Sequence, residues 1–322
     1  MYYSIRHLTR FRYSAPIRES IMEVRMHPRN EQTQRCLEFR LQTEPSAQIM
    51  YYRDYLGNTI HHFGVPGRHT QLTITAESLV EMLPPPPLPE ALDMAVWEEL
   101  DNLKTTAHHW DMLVPSHFAH PSDLLYKLQH ELAIERNQED PLTTLLRLNT
   151  AIYNSFEYVP MSTTVDSPID DSLRERRGVC QDFAHVMITI VRLLGIPCRY
   201  VSGYLFHRAE DHDRSEEDAT HAWLEAYLPT LGWIGFDPTN NLVCAERHLR
   251  TAIGRDYADV PPTRGVFKGN AESELEVGVR VSPTEAPIAE DVELLPVVDW
   301  LPPTSISAQD ESDYQEQQRD QQ

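Results

Sequence analysis

Cysteine is scarce in this chain. Four occur, Cys36, Cys180, Cys198 and Cys244, far apart and never as a CxxC pair, which argues against a disulfide framework or a structural zinc site. Long hydrophobic runs are missing too. No stretch of about 18 apolar residues exists, so no membrane-spanning helix is expected. The start, Met1-Tyr2-Tyr3-Ser4-Ile5-Arg6, lacks the basic segment and apolar run of a secretory signal. Positive charge is short: 28 basic residues face 49 acidic ones, for a formal net charge of −21. A surface of that sign repels nucleic acid and anionic membranes, and neither is expected as a partner. Lysine is rarest, with only Lys104, Lys127 and Lys268. These absences point to the reducing cytoplasm, where a free thiol survives.

What is present suits a globular protein. The 322 residues are 41% hydrophobic and 24% charged, enough for a sizeable core and two domains. The acid is uneven: residues 284–322 hold ten acidic residues and a single basic one, Arg319, and read as a disordered tail. Residues 1–83 alternate. Met22, Val24 and Met26 are interleaved with Glu23 and Arg25, and Leu37, Phe39 and Leu41 with Glu38 and Arg40. That period predicts strands with one packed face, and Leu56-Gly57-Asn58 a hairpin turn. Six residues, Pro84–Pro89, carry five prolines and form a natural linker. Helices follow. One is capped by Ser122, one opens at Asp140-Pro141, and a short one opens at Ser167-Pro168 and could end at Gly178. The strongest runs from Gln181 to Leu194, with Phe183, Val186, Met187, Ile190, Val191 and Leu194 on one face. Strands are then expected at 199–206, 221–228 and 233–237, and a last one around Leu275, Val277, Val279 and Val281.

Cys180 stands where a glycine-containing turn meets that helix, in Arg177-Gly178-Val179-Cys180-Gln181-Asp182. A thiol there feels the positive end of the helix dipole, which favours thiolate, and the free backbone amides suit a developing oxyanion. A free cysteine is as often a small buried hydrophobe. A nucleophilic thiol needs a base. His185 lies roughly 140° around the helix from Cys180 and points elsewhere. His221 opens an alternating strand, and Asp237 closes the next. An odd-numbered loop between them would set Asp237 opposite Trp223, on the His221 face; an even one would turn it away unless a bulge intervened. By itself, Asp237 before Pro238 is better read as a turn cap.

Three segments, Gly178-Val179-Cys180-Gln181-Asp182-Phe183-Ala184-His185, His221-Ala222-Trp223 and Gly235-Phe236-Asp237-Pro238-Thr239-Asn240-Asn241, together resemble the bacterial transglutaminase-like family. The resemblance spans roughly residues 1–283. It implies an α+β protein: an N-terminal β-sandwich or barrel domain (1–83), the proline linker (84–89) and a papain-like catalytic domain (90–283), with the tail (284–322) outside the pattern. It implies Cys180 as nucleophile, His221 as base and acid, and Asp237 as the group orienting His221. The implied reaction is attack of the thiol on an amide carbonyl of a protein or peptide, giving a thioester that water or an amine resolves. Hydrolysis is the expectation; acyl transfer to amines and a non-catalytic binding module on the same fold are the alternatives. Neither a cofactor nor a metal is expected. Tyr158, Gln181 and Trp223 are candidates for oxyanion or substrate contact, and Trp223 with Trp233 for an acceptor channel, although all three aromatics also suit a core. The acidic segment 207–220, with His207 and His212, reads as a solvated loop beside the site. Cys198 and Cys244 look structural.

Overall fold

The computed structural model describes residues 1–104, 107–208 and 210–286, apart from the side chains of residues 107 and 108. The expected tail lies, from residue 287, outside the described residues. Residues 1–285 form one compact unit. No helix among the described residues is long and apolar enough to cross a membrane.

The chain opens with four strands, β1 (Tyr2–Val24), β2 (Gln34–Glu44), β3 (Met50–Arg53) and β4 (Thr59–Met82). Leu56-Gly57-Asn58 does turn β3 into β4, with Gly57 at φ +78°, where a side chain would be strained. Helices α1 (Val96–Leu103), α2 (Asp123–Glu131) and α3 (Pro141–Ser155) follow. Their starts obey the sequence: Ser122 Oγ accepts from the Leu125 amide, and Asp140 from those of Leu142 and Thr143, with Pro141 as the first helical residue. Next come β5 (Glu157–Tyr158), α4 (Ile169–Glu175), β6 (Arg177–Gly178) and α5 (Cys180–Leu193). Helix α4 ends at left-handed Arg176, not at Gly178, because Gly178 is taken up in the β5–β6 pair. The remaining strands are β7 (Cys198–Leu205), β8 (His221–Leu228), β9 (Gly232–Asp237), β10 (Leu242–Val243), β11 (His248–Gly254), β12 (Thr263–Lys268) and β13 (Ser273–Thr284).

The first sheet has six strands, and the path β12-β1-β4-β2 carries β13 on β1 and β3 on β4. Its pairings among the described residues do not close it into a barrel. Both β1 and β4 exceed 20 residues, and their register slips between Arg12 and Ile17 and between Ile17 and Glu19. Such irregularities bend a strand. Residues from both sides of the bend, among them Tyr13, Met22, Phe63 and Leu72, share one apolar cluster. One bent ribbon therefore buries the face that alternation had suggested belonged to a sandwich. Strands β12 and β13, from the 90–283 segment expected to be catalytic, complete this sheet by pairing with β1.

The second sheet is antiparallel, in the order β10-β9-β8-β7-β11. Helix α5 lies against β7 and β8, and every residue from Gln181 to Arg192 is buried. The main core, including Leu125, Leu145, Phe183, Val186, Ile190 and Leu224, surrounds that helix. A smaller cluster of Tyr3, Ile5, Val80, Tyr204 and Leu249 joins the first sheet to the second. The first sheet is thereby fixed beside the end of the second that carries His221.

Candidate active site

Cys180 is the first residue of α5. The turn before it is built around Asp182, whose Oδ2 accepts from the Val179 amide at 2.8 Å and from Thr163 Oγ1 at 2.6 Å. A Cβ on Gly178 would stand 2.7 Å from that oxygen, so only glycine fits the approach. The first backbone amides of a helix have no intrahelical acceptor. Those of Cys180 and Gln181 have no partner among the described residues, so two donors stand free beside the sulfur.

The loop between β8 and β9 is Pro229-Thr230-Leu231, three residues, and Leu224 faces Phe236 across the ladder. The next pair outward is Trp223 with Asp237, which puts Asp237 on the His221 face, as an odd loop demands. His221 Nε2 meets Asp237 Oδ2 at 2.8 Å, and both residues are buried. The carboxylate takes four more hydrogen bonds. His248 Nε2 and Asn240 Nδ2 donate to Oδ2 at 3.2 and 2.9 Å, and the amides of Thr239 and Asn240 donate to Oδ1 at 3.0 and 3.2 Å. Burial alone would raise the Asp237 pKa, but the charge and hydrogen bond of His221, with help from His248, hold it far below the ordinary carboxylate range. Burial would likewise depress His221, yet the charge and hydrogen bond of Asp237, followed by the contact with Cys180, raise it to about 10. His248 goes the other way: burial outweighs its bond to Asp237 and lowers its pKa. One carboxylate thus serves a charged and a neutral imidazole.

The His221 Nδ1 is buried and has no hydrogen-bond partner among the described residues. With Nε2 committed to Asp237, Nδ1 is the nitrogen left for the Cys180 thiol, whose proximity helps raise the imidazole pKa. Cys180 and His221 line one cavity of about 260 Å³ with Tyr158, Gln181, Tyr200 and Glu216. Larger hollows exist, about 790 Å³ on the first sheet and about 440 Å³ beside Trp233, but neither brings a thiol to a histidine. Nε2 of both histidines and an Asp237 oxygen lie close enough to hold a metal ion; here these donors are spent on one another.

Tyr158 reaches the cavity because β5 runs parallel to β6, which sets it level with Gly178. Burial and the nearby Cys180 raise its pKa, so its hydroxyl keeps its proton as a donor. Gln181 is buried rather than solvent-facing and ties its side-chain amide to the Val165 carbonyl at 3.0 Å. Trp223 departs from expectation. It is fully buried and stacks on His221 with ring centroids 5.9 Å apart, but it does not line the cavity. It backs the imidazole. Trp233 lies under Arg199, 4.2 Å from its ring, in the other hollow. The two tryptophans form no channel at the thiol. The loop 207–220 does sit beside the cavity but is anchored rather than freely solvated. Asp213 pairs with Arg247 at 2.8 Å, Arg214 covers Tyr153, and Asn240 holds the Arg214 and Ser215 amides with its Oδ1. Sequence reasoning does not find His248, whose signal is faint: a histidine opening a short strand.

The remaining cysteines are poor nucleophiles. Burial pushes the Cys36 and Cys198 thiols up to about 11 and about 12, and Cys244 well above its ordinary value. His185 stacks on Phe118 at 5.4 Å and accepts from the Tyr257 amide, away from the thiol. In the folded protein at pH 7, iodoacetamide should therefore modify Cys180 at least about tenfold faster than the other three. Peptide mapping after timed quenching measures this; equal labelling of all four would remove the basis for a reactive Cys180.

The sequence and fold are similar to those of known proteins. The family model for the bacterial transglutaminase-like N-terminal region matches residues 3–81, and that for the transglutaminase-like superfamily matches 130–238. An uncharacterised protein of Mycobacterium tuberculosis is 35% identical over 312 aligned positions, 88% of this chain and 93% of that one. One from Mycobacterium leprae is 32% identical over 278, covering 86% and 96%. A protein-glutamine gamma-glutamyltransferase of Pseudomonas aeruginosa is 31% identical over 137, but this covers only 38% of this chain and 20% of that protein. Among solved structures, a proposed cysteine protease from Cytophaga hutchinsonii superposes with a TM-score of 0.69 at 25% identity, covering 89% of this chain and 92% of that one.

Proposed function

The chain belongs to the bacterial transglutaminase-like family, with its N-terminal accessory region and papain-like cysteine-enzyme fold, and from that premise we propose that it hydrolyses amide or acyl bonds through Cys180. The observation that carries this reading is the buried His221–Asp237 pair, 2.8 Å apart, with the unspent Nδ1 of His221 facing a thiol in one cavity. In the proposed reaction the thiol proton already rests on His221, and the Cys180 sulfur attacks the carbonyl as the thiolate of that ion pair. The amides of Cys180 and Gln181, and the Tyr158 hydroxyl, are placed to receive the oxyanion. The imidazolium then protonates the leaving amine, and a thioester remains. Asp237 keeps the imidazole oriented and stabilises its charge without taking the proton.

Water resolves the thioester in this reading. Among the described residues no tryptophan walls an acceptor channel beside Cys180, and this favours hydrolysis in our reading, because an amine competes with water only where the site binds it or keeps water out. The partial similarity to a protein-glutamine gamma-glutamyltransferase supports the second reading, transfer to an amine. The four free cysteines suit a reducing compartment such as the cytoplasm. Offering a glutamine peptide with and without a millimolar primary amine separates the two reactions. Free acid should form at a rate the amine barely changes. Product that is mostly amine adduct, and that disappears in Cys180→Ala, would replace hydrolysis by acyl transfer.

A further inference from the structure

One wall of the Cys180 cavity belongs to the first sheet, not to the catalytic sheet: His7 and Thr9 from β1, Leu275 and Val277 from β13. Strand β13 pairs with β1 along one side, and no strand pairs with its other side among the described residues. In an antiparallel ladder the backbone groups of successive residues point alternately toward and away from the partner. The Val279 amide points away from β1 and donates to the Asp218 carbonyl at 2.9 Å. Two and four residues back, Val277 and Leu275 must present their amides on that same outer edge, and neither has a partner there among the described residues. Their side chains are 47% and 55% exposed. An open edge with apolar side chains is a template for another strand. The Asp218 carbonyl already takes the neighbouring position, so the edge accepts chain, and at Leu275 and Val277 it is free where it borders the cavity.

We propose that the edge of β13 at Leu275 and Val277 is the substrate subsite, which an extended polypeptide joins as an added strand so that one of its amide carbonyls lies against Cys180. This rests on the reading of Cys180 as nucleophile and narrows the substrate to unfolded or flexible polypeptide rather than a small amide. Backbone pairing supplies affinity with little demand on sequence. Val277 and Leu275 select for apolar side chains at alternate positions on the cavity side.

Val277→Pro tests this directly. Its nitrogen faces away from β1, so proline removes the outward donor and leaves the β1 ladder bonded. Two substrates are compared: a tryptic digest of a bacterial lysate, followed peptide by peptide with mass spectrometry, and p-nitrophenyl acetate, too small to reach the edge. In Val277→Pro, kcat/KM for peptides should fall roughly tenfold more than ester turnover does, chiefly through KM, whereas Val277→Ala, which keeps the amide and trims the side chain, should fall less and lose part of its preference for apolar residues. Hydrogen exchange in the full-length Cys180→Ala protein gives a second reading independent of how the proline variant folds: the digest should slow exchange across residues 273–279. Ester turnover with neither effect overturns the edge subsite and leaves the thiol reading standing. A concentration-dependent dimer that Val277→Pro dissolves, with peptide turnover unchanged, assigns the edge to self-pairing and also overturns it. Wild-type protein that turns over neither substrate overturns the thiol reading, and this inference with it.

Discussion

Cys180→Ala and His221→Ala will each lower turnover by about 10⁴-fold or more, and the double variant will be no worse than either single one. Residues that act as one unit lose their joint contribution with the first deletion, so the effects do not add. Residual activity reflects the free amides of Cys180 and Gln181 and substrate binding alone. The fold should survive both changes. Cys180 is only partly buried, and the Asp237 carboxylate keeps His248, Asn240 and two backbone amides when His221 is cut back. Steady-state kinetics beside a thermal melt measures both properties. Full activity in His221→Ala would take this histidine out of the chemistry. The other histidine in the cavity wall, His7, is a weak substitute, because burial lowers its pKa to about 4 and its ring nitrogens meet Tyr204 and Thr9. His207 pairs with Asp213 and does not line the cavity.

Asp237→Asn will cost less activity than either of those changes but more stability, and the stability cost will depend on pH. The amide keeps the shape and loses the charge that orients and stabilises the imidazolium. Breaking a buried, hydrogen-bonded pair costs about 3–5 kcal/mol. His221 has a raised native pKa, about 10 against an ordinary 6.5. Its stabilisation is therefore complete below about pH 6.5 and disappears as pH rises toward 10. Asp237 is depressed, so its contribution is present above the ordinary carboxylate value and is lost only as pH falls through its low native one. Both contributions are whole near pH 6. Urea denaturation should accordingly show the largest gap between wild type and Asp237→Asn near pH 6, shrinking by pH 10. A gap that stays constant over this range would mean that the pair is not ionised as described.

The parts of the site that depend on neighbouring residues are legible in the amino-acid sequence. Apolar spacing from Phe183 to Leu194 and the turn around Gly178 are local properties, and they set Cys180 at a helix start. The parity of the β8–β9 loop is not legible: strands expected at 221–228 and 233–237 leave four residues between them, and it is the pairing of Gly232 with Leu228 that shortens the loop to three and sets Asp237 on the His221 face. The three motifs together carry the family. Partners are not legible where they lie far along the chain. Alternation in Leu275, Val277 and Val279 announces a strand with a packed face, but nothing in it names β1, more than 250 residues earlier, as the neighbour. The same alternation in β1 and β4 does not distinguish two stacked sheets from one ribbon bent at its register shifts. Trp223 has the same face and spacing whether it lines a substrate channel or backs a histidine; only the packing of the core puts it behind His221. His248 shares Asp237 with His221 because β11 crosses to the far side of β7 in the same sheet, a pairing without local signature. Spacing along the chain dictates which way a side chain faces, and the three motifs taken together name the candidate nucleophile, its base and the orienting carboxylate. What stands opposite depends on which distant strands bury the most apolar surface together. That choice is made in three dimensions, and it gives the cavity its outer wall and leaves the β13 edge open beside the thiol.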